Sequence, residues 1–409
     1  MSLRVLLAGH NVDVNALREV CEVLEHILKD ADPRTLEGLG LNETRRLLSD
    51  LYRLADECSS KQALTPEVLS AAYARISRDP KSVPELRRAA RAGIARARKS
   101  NEAIIFGLGH ASVAEHATFN FDILGLSRLA AEELQSHRLL SFTEKSQRYI
   151  TASDEFVVPE ELNGGSWESR FKSEVQTLFS EYRSFFEVLL KRIIESDGES
   201  SDTATNRDQE NRAKEDARYL LPLATATQMG VTVNARNLEY VVHACNGHEL
   251  AEIRLLADKL LEAARPLAPS LIKYAEASHY PRRNRQELRE EYHEQESQDT
   301  LPILSEPELT VLSADLDAER AVAKALAFCS GIRLDEKELP PQFWHKIFRG
   351  MKWHDAAPRE FELASLQFDL KISASCYAQL KRHRMMTLMP AAYHANDGVI
   401  LPPAIAEAG

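Results

Sequence analysis

The sequence predicts an α+β fold, rich in helix with a small sheet, built as two diverged tandem copies. Three observations carry this expectation. Short runs such as "SLRVLLAG" and "HATFNFDILG" are apolar or alternating, end in glycine and read as strands. Longer stretches repeat apolar residues three and four apart, the spacing of an amphipathic helix. Two distant segments, "EHATFNFDILGLSRLAAEELQSHR" (115–138) and "ELASLQFDLKISASCYAQLKRHR" (362–384), also match with one gap. Glu115 pairs with Glu362, Phe121-Asp122 with Phe368-Asp369, and His137-Arg138 with His383-Arg384. Jointly these matches favour an internal duplication.

In chain order, "SLRVLLAG" should give a short buried strand near residues 4–8, stopped by glycine. Residues 14–100 are helix-rich, as in "LREVCEVLEHIL". Thr118 to Ile123 alternates and reads as a strand, and "LSRLAAEELQSHRLL" returns to helical periodicity. "SFTEKSQRY" cannot form a well-packed helix. Residues 167–195 form an amphipathic helix, whereas "ESDGESSDTATNRDQENRAKED" is so poor in apolar residues that it reads as a mobile surface insertion. Residues 234–276 are helical. "LTVLSADLDAERAVAKALAFCSG" (309–331) repeats a strand-then-helix opening. The expected domains are therefore 1–285, with insertions near 14–60 and 196–215, a charged linker at 286–300, and a partial second copy at 301–409.

Composition narrows the function. With 409 residues, 44% apolar and 28% charged, the chain is an ordinary globular one, and its formal charge of −11 argues against coating nucleic acid. Five cysteines without a CxxC pair suit a reduced cytoplasm. No apolar run approaches the ~20 residues that span a bilayer, and no signal-peptide pattern opens the chain. The expected location is cytoplasmic, with no membrane partner.

Chemistry concentrates in "ELQSHRLLSFTEKSQRYI" (133–150). Glu144, Ser146 and Arg148 are spaced by two, which in an extended segment puts them on one side. A guanidinium grips phosphate or carboxylate bidentately, while a hydroxyl and a carboxylate read donors and acceptors on a ring. "ARYLLPLATATQMGVTVNARNLEY" adds Arg218, Asn234 and Arg236, and "GLGHASVAEH" adds His110, Ser112, Glu115 and His116. The plainer reading of any one arginine is a surface pair with one of the 62 acidic residues.

Together these blocks resemble the flavin-dependent thymidylate synthases, the ThyX family. "SHRLLSFTEKSQRY" keeps His137, Arg138, Ser146, Arg148 and Tyr149 at the spacing of the family's R-H-R…S signature. "GHASVAEH" is similar to its flavin-contacting H-x-[ST]-x-x-E-H segment, and "ARYLLPL…TVNARNL" to its second block. The resemblance implies a small antiparallel sheet, FAD as cofactor, and NADPH and methylenetetrahydrofolate as co-substrates for methylating dUMP at C5. It implies Ser146, Arg148 and Glu144 as catalytic, with Arg148, Arg218, Ser146 and the second copy's Gln379 on the nucleotide. His110, Ser112, Glu115, His137, Arg138, Asn234 and Arg236 would meet the flavin, joined by Arg382, His383 and Arg384. Family members are tetramers with pockets between subunits, which implies a dimer with pseudo-tetrameric symmetry or a tetramer here.

The chain also departs from the family pattern. Ser136 stands where the signature begins with arginine, Glu133 where glutamine is usual, and no arginine lies between Asn237 and Arg254. The second copy retains Gln379, Arg382, His383 and Arg384 but has Ala392 in place of the serine. Such complementary losses suit one hybrid pocket made from both copies. Two alternatives stay open: a non-catalytic flavin or nucleotide binder, and a sister enzyme alkylating another pyrimidine nucleotide. Cys245, the one cysteine flanked by histidines, reads as structural rather than as a nucleophile. "GLGHAS" lacks the third glycine of a dinucleotide loop, "HELAE" lacks the second histidine of a zinc site, and no metal is expected. Trp167, Trp344 and Trp353 read as core or interface residues.

Overall fold

The computed structural model describes residues 2–13, 65–199, 201–276, 303–304, 308–333, 341–393 and 397–408, with a few isolated positions. The expected helix at "LREVCEVLEHIL", most of the 14–60 insertion and the 286–300 linker lie outside the described residues. Two compact units emerge. The first comprises Met1–Ser297, Ala378–Ala391 and Pro402–Gly409; the second comprises Gln298–Tyr377 and Ala392–Leu401.

In the first unit, strands β1 (Arg4–His10), β2 (Thr118–Ser127), β3 (Leu140–Glu144) and β4 (Ala226–Asn234) form an antiparallel sheet in the order β1-β2-β4-β3. The expected α+β class and antiparallel sheet hold. β1 departs from its expected burial: it is an edge strand with alternating exposed residues, and it runs past Gly9 to His10. β2 also continues beyond its expected end. Gly125, at φ 73°, is the extra residue between Leu124 and Leu126, and the bulge lets pairing resume to Ser127.

Helices α1 (Glu67–Tyr73), α2 (Val83–Ala92) and α3 (Ile94–Glu102) share a small core around Val68, Leu86 and Ile94. Helix α4 (Arg128–Ser136) begins where Ser127 Oγ accepts from Ala130 N at 3.1 Å. Helices α5 (Ser166–Asp197) and α6 (Thr203–Ala217) follow. Then come α7 (Ala235–Asn246), capped by Asn234, and α8 (Ala251–Ala264). Phe119, Phe121 and Ile123 on β2 bury their inward face with Leu238 and Val242 of α7 and Leu256 and Leu260 of α8. Glu252 of α8 accepts from Ser127 N and Oγ at 2.7 and 2.6 Å, tying that helix to the end of β2.

The mobile insertion expected over 195–216 is corrected by α6. Asp202 caps it by accepting from Thr205 N at 3.0 Å, and Gln209, Ala213, Lys214 and Ala217 are buried. Only a few small apolar residues are needed because α5 supplies the large partners, among them Phe179 and Tyr182.

The second unit pairs β5 (Ile303–Leu304) with β8 (Val399–Ile400), and β6 (Glu308–Ala314) with β7 (Leu366–Lys371). Helices α9 (Ala318–Cys329) and α10 (Pro341–Phe348) lie between β6 and β7 in the chain, and α11 (Ala374–Leu380) follows β7. A last helix, α12 (Pro403–Ala408), belongs to the first unit. The β6–β7 register repeats that of β1–β2. Leu6 faces Asp122 and Thr310 faces Asp369; Leu7 faces Phe121 and Val311 faces Phe368. Both ladders then slip by one residue before Gly9 meets Asn120 and Ser313 meets Gln367. Trp344 packs with Phe343, Phe348 and Phe361, but Trp167 and Trp353 stand exposed, at 62% and 94%, so neither joins a core among the described residues.

Candidate functional site

Two cationic groups lie within the first unit. The larger lines a cleft of about 830 Å³. Its walls come from Glu115 and Thr118, from Arg138 to Ser141, from Thr232 to Asn234 with Asn237, and from Arg382 to Met386. Three guanidiniums and an imidazole face one carboxylate, in a chain whose formal charge is −11. Arg138 Nη2 donates to Thr387 Oγ1 at 2.7 Å, Arg384 Nη1 reaches Arg138 O at 3.5 Å, and the Arg384 guanidinium lies 5.8 Å from the Phe142 ring centre. Asn234 Oδ1 accepts from Asn237 N and Nδ2, both at 2.9 Å. Arg236, exposed, pairs with Glu115 at the rim. Arg138, Asn234, Glu115, Arg382, His383 and Arg384 thus share one cleft.

The second group gathers around Glu215 of α6. Arg148 Nη1 donates to Glu215 Oε1 at 3.1 Å, and Arg218 Nε to Glu215 O at 3.2 Å. Burial, and then the nearby Arg128 and Arg148, pull the Arg218 guanidinium below its ordinary value. Arg128 and Arg148 thus lie within electrostatic range of Arg218, with Glu215 as the carboxylate partner of Arg148, a set of guanidiniums suited to an anion.

Glu144, Ser146 and Arg148 are not aligned along one strand, which corrects the extended reading. β3 ends at Glu144, and the chain turns so that Ser146 Oγ accepts from Arg148 N at 3.2 Å and Ser146 O from Ile150 N at 3.2 Å. Glu144 accepts from Gln135 Nε2 at 2.9 Å. His137 lies beside the cleft rather than in its lining: its Nε2 is buried with no hydrogen-bond partner among the described residues, and burial keeps the imidazole below its ordinary value against the pull of Glu133. Its ring meets Tyr240 edge-on at 5.6 Å. His110 and Ser112 sit exposed at the short 3-10 turn Ala111–His116, and Gln379 is half-buried in the last turn of α11. None of these three is in the cleft lining.

Helix α4 joins the two groups through residues absent from the expected site. Arg128, Glu132 and Gln135 recur every three to four residues and are all buried. Lys381, 4% exposed, sits 3.4 Å from Glu132, itself 7% exposed. Glu144 and Arg128 lie within electrostatic range of Lys381, whose ammonium burial holds below its ordinary value. The stripe was visible in "RLAAEELQ", but polar residues at helical spacing normally mark a solvated face.

Cys245 is fully buried and burial pushes its thiol up to about 12, so it offers no thiolate. His248 Nδ1 accepts from Leu250 N at 3.0 Å, and Glu252 is engaged with Ser127, so "HELAE" is structural.

Comparison with known proteins decides the family. Residues 61–270 match the family described as "Thymidylate synthase complementing protein", half of the chain. The chain belongs to this family. A protein of Nitratidesulfovibrio vulgaris named flavin-dependent thymidylate synthase is 34% identical over 178 residues, 43% of this chain and 67% of the relative. Proteins of the same name from Clostridium tetani (31% over 175 residues, 42% and 68%) and Geobacter sulfurreducens (35% over 176 residues, 42% and 66%) are similar. The family match lies within the first unit. It includes every expected site residue of the first copy and both ends of the α4 stripe. No helix among the described residues is long and apolar enough to cross a membrane.

Proposed function

We propose that the chain is a flavin-dependent thymidylate synthase that methylates C5 of dUMP. Methylenetetrahydrofolate would be the carbon donor and NADPH the source of reducing equivalents. The observation that carries this reading is the cleft joining Arg138 and Asn234 to Arg382, His383 and Arg384. Its donor set fits FAD. Guanidiniums suit a pyrophosphate, the Asn234 and Asn237 amides and the Ser141 and Thr232 hydroxyls suit ring edges, and Leu139, Val233, Met385 and Met386 suit a flat apolar ring. When bound, reduced FAD would supply the hydride.

The chain's own groups would do the rest. Arg148, Arg218 and Arg128 would hold the nucleotide phosphate, with Glu215 fixing the first two in place. Glu144, oriented by Gln135, and Ser146 would flank the base. Negative charge developing on the pyrimidine would be met by guanidinium donors rather than by a protein thiolate. The shared strand register, slip included, supports reading the β6–β7 to Arg384 stretch as a second copy of the β1–β2 to Arg138 stretch, and the cleft as a hybrid of both.

Purified protein given FAD, NADPH, methylenetetrahydrofolate and 5-tritiated dUMP should take up flavin and release tritium. Flavin uptake without release would instead support a binder or an enzyme for another pyrimidine. Failure to take up flavin would refute the reading.

A further inference from the structure

Beside the cleft, the second copy's basic segment meets α4 at a buried ion pair, Lys381 with Glu132. Counting back from the matched His137-Arg138 and His383-Arg384, Lys381 corresponds to Gln135 and Glu132 to Ala378. Neither charge is repeated in the other copy: the first copy carries only the acid, the second only the base. Were α4 to meet a like helix from another first copy, Glu132 would face Gln135. Were two second copies to meet, Lys381 would face Ala378. Each would take from a buried charge its closest counter-charge, the partner held at 3.4 Å in the unlike pairing. At this contact, only the unlike pairing sets acid against base.

We propose that Lys381 and Glu132 are positioning residues that select the second copy's segment as the partner of α4 and so hold Arg382, His383 and Arg384 in the cleft. The contacts beyond the pair follow from this docking. Arg138 donates to Thr387, and Arg384 reaches the Arg138 carbonyl and lies near Phe142. Arg128 and Glu144 lie within electrostatic range of Lys381, and Gln135 donates to Glu144. A like pairing is disfavoured by the lost counter-charge, and the wanted one is permitted by the ion pair.

The proposal rests on the duplication and on the flavin reading of the cleft, and its test separates them. Full-length Glu132→Gln, Lys381→Met and the double swap Glu132→Lys with Lys381→Glu are compared with the unaltered chain. Two readouts are used: FAD affinity by flavin fluorescence, and the rate of chymotrypsin cleavage after Met386 and Leu388, sites that none of the substitutions alters. Each single change should weaken FAD binding roughly tenfold or more and speed cleavage, because it removes the closest counter-charge of a buried group. The swap should recover most of both. Single variants that keep both readouts unchanged, or a swap no better than either single change, would overturn the proposal. If the unaltered chain binds no FAD, the flavin reading fails and the cleavage rates alone decide the docking.

Discussion

Arg148 and Arg218 lean on the same residue, Glu215, one through its carboxylate and the other through its carbonyl. The shared support keeps two mutually repelling guanidiniums side by side, an arrangement that gains most when an anion arrives. Arg148→Ala should therefore raise the KM for dUMP by about 10- to 100-fold, the scale of one or two hydrogen bonds to a charged group, in steady-state tritium release. Cys245 behaves oppositely. Cys245→Ser should lower stability by about 1–3 kcal/mol through burial of a hydroxyl, read by thermal melting, while tritium release stays near its original rate. His137 adds a pH signature. Its folded-state value lies below the ordinary 6.5, so its contribution is complete above that value and is lost as pH falls through the lower folded value. Melting temperatures of the unaltered chain should fall more steeply on acidification than those of His137→Phe. At this scale the guanidiniums were legible because arginine, asparagine and histidine spacing is visible in sequence. The Arg128–Glu132–Gln135 stripe was not read, because the partner of its buried Glu132, Lys381, lies 249 residues further along the chain.

Helix α6 is the element whose sequence was most misleading. Its stretch has almost no large apolar residues, yet Ala213 and Ala217 are fully buried because small side chains let α5 approach closely. The helix matters to the site, since Glu215 and the start of the Arg218 turn both hang from it. Asp202→Ala should cost about 1 kcal/mol by removing the cap, measurable by denaturant unfolding, and should weaken dUMP binding through Glu215. The β3 segment failed for a different reason. Alternation from Glu144 to Arg148 holds in "ExSxR", but the Ser146 hydroxyl and carbonyl take two backbone N–H groups and bend the chain into a turn. Side-chain periodicity does not report such a competition. β2, α5 and α7, by contrast, carry clear alternating or helical apolar patterns, and all three were expected.

At the scale of the whole molecule, the residues matched by letters alone, Phe121-Asp122 and Phe368-Asp369, sit on strands whose ladders slip at the same place. Composition marks charged and apolar-poor stretches. It does not say which segment returns to which core, and Ala378–Ala391 returns to the first unit across some eighty residues of the second. Light scattering should give a dimer or tetramer if further copies of the chain complete the assembly, as is common for soluble oligomers. The most direct test of the account is an FAD titration of the unaltered chain beside Arg138→Ala, Arg382→Ala and Arg384→Ala. The account predicts bound flavin at fewer than two per chain, weakened by changes in either copy. Affinity left untouched by both Arg382→Ala and Arg384→Ala would contradict the hybrid cleft.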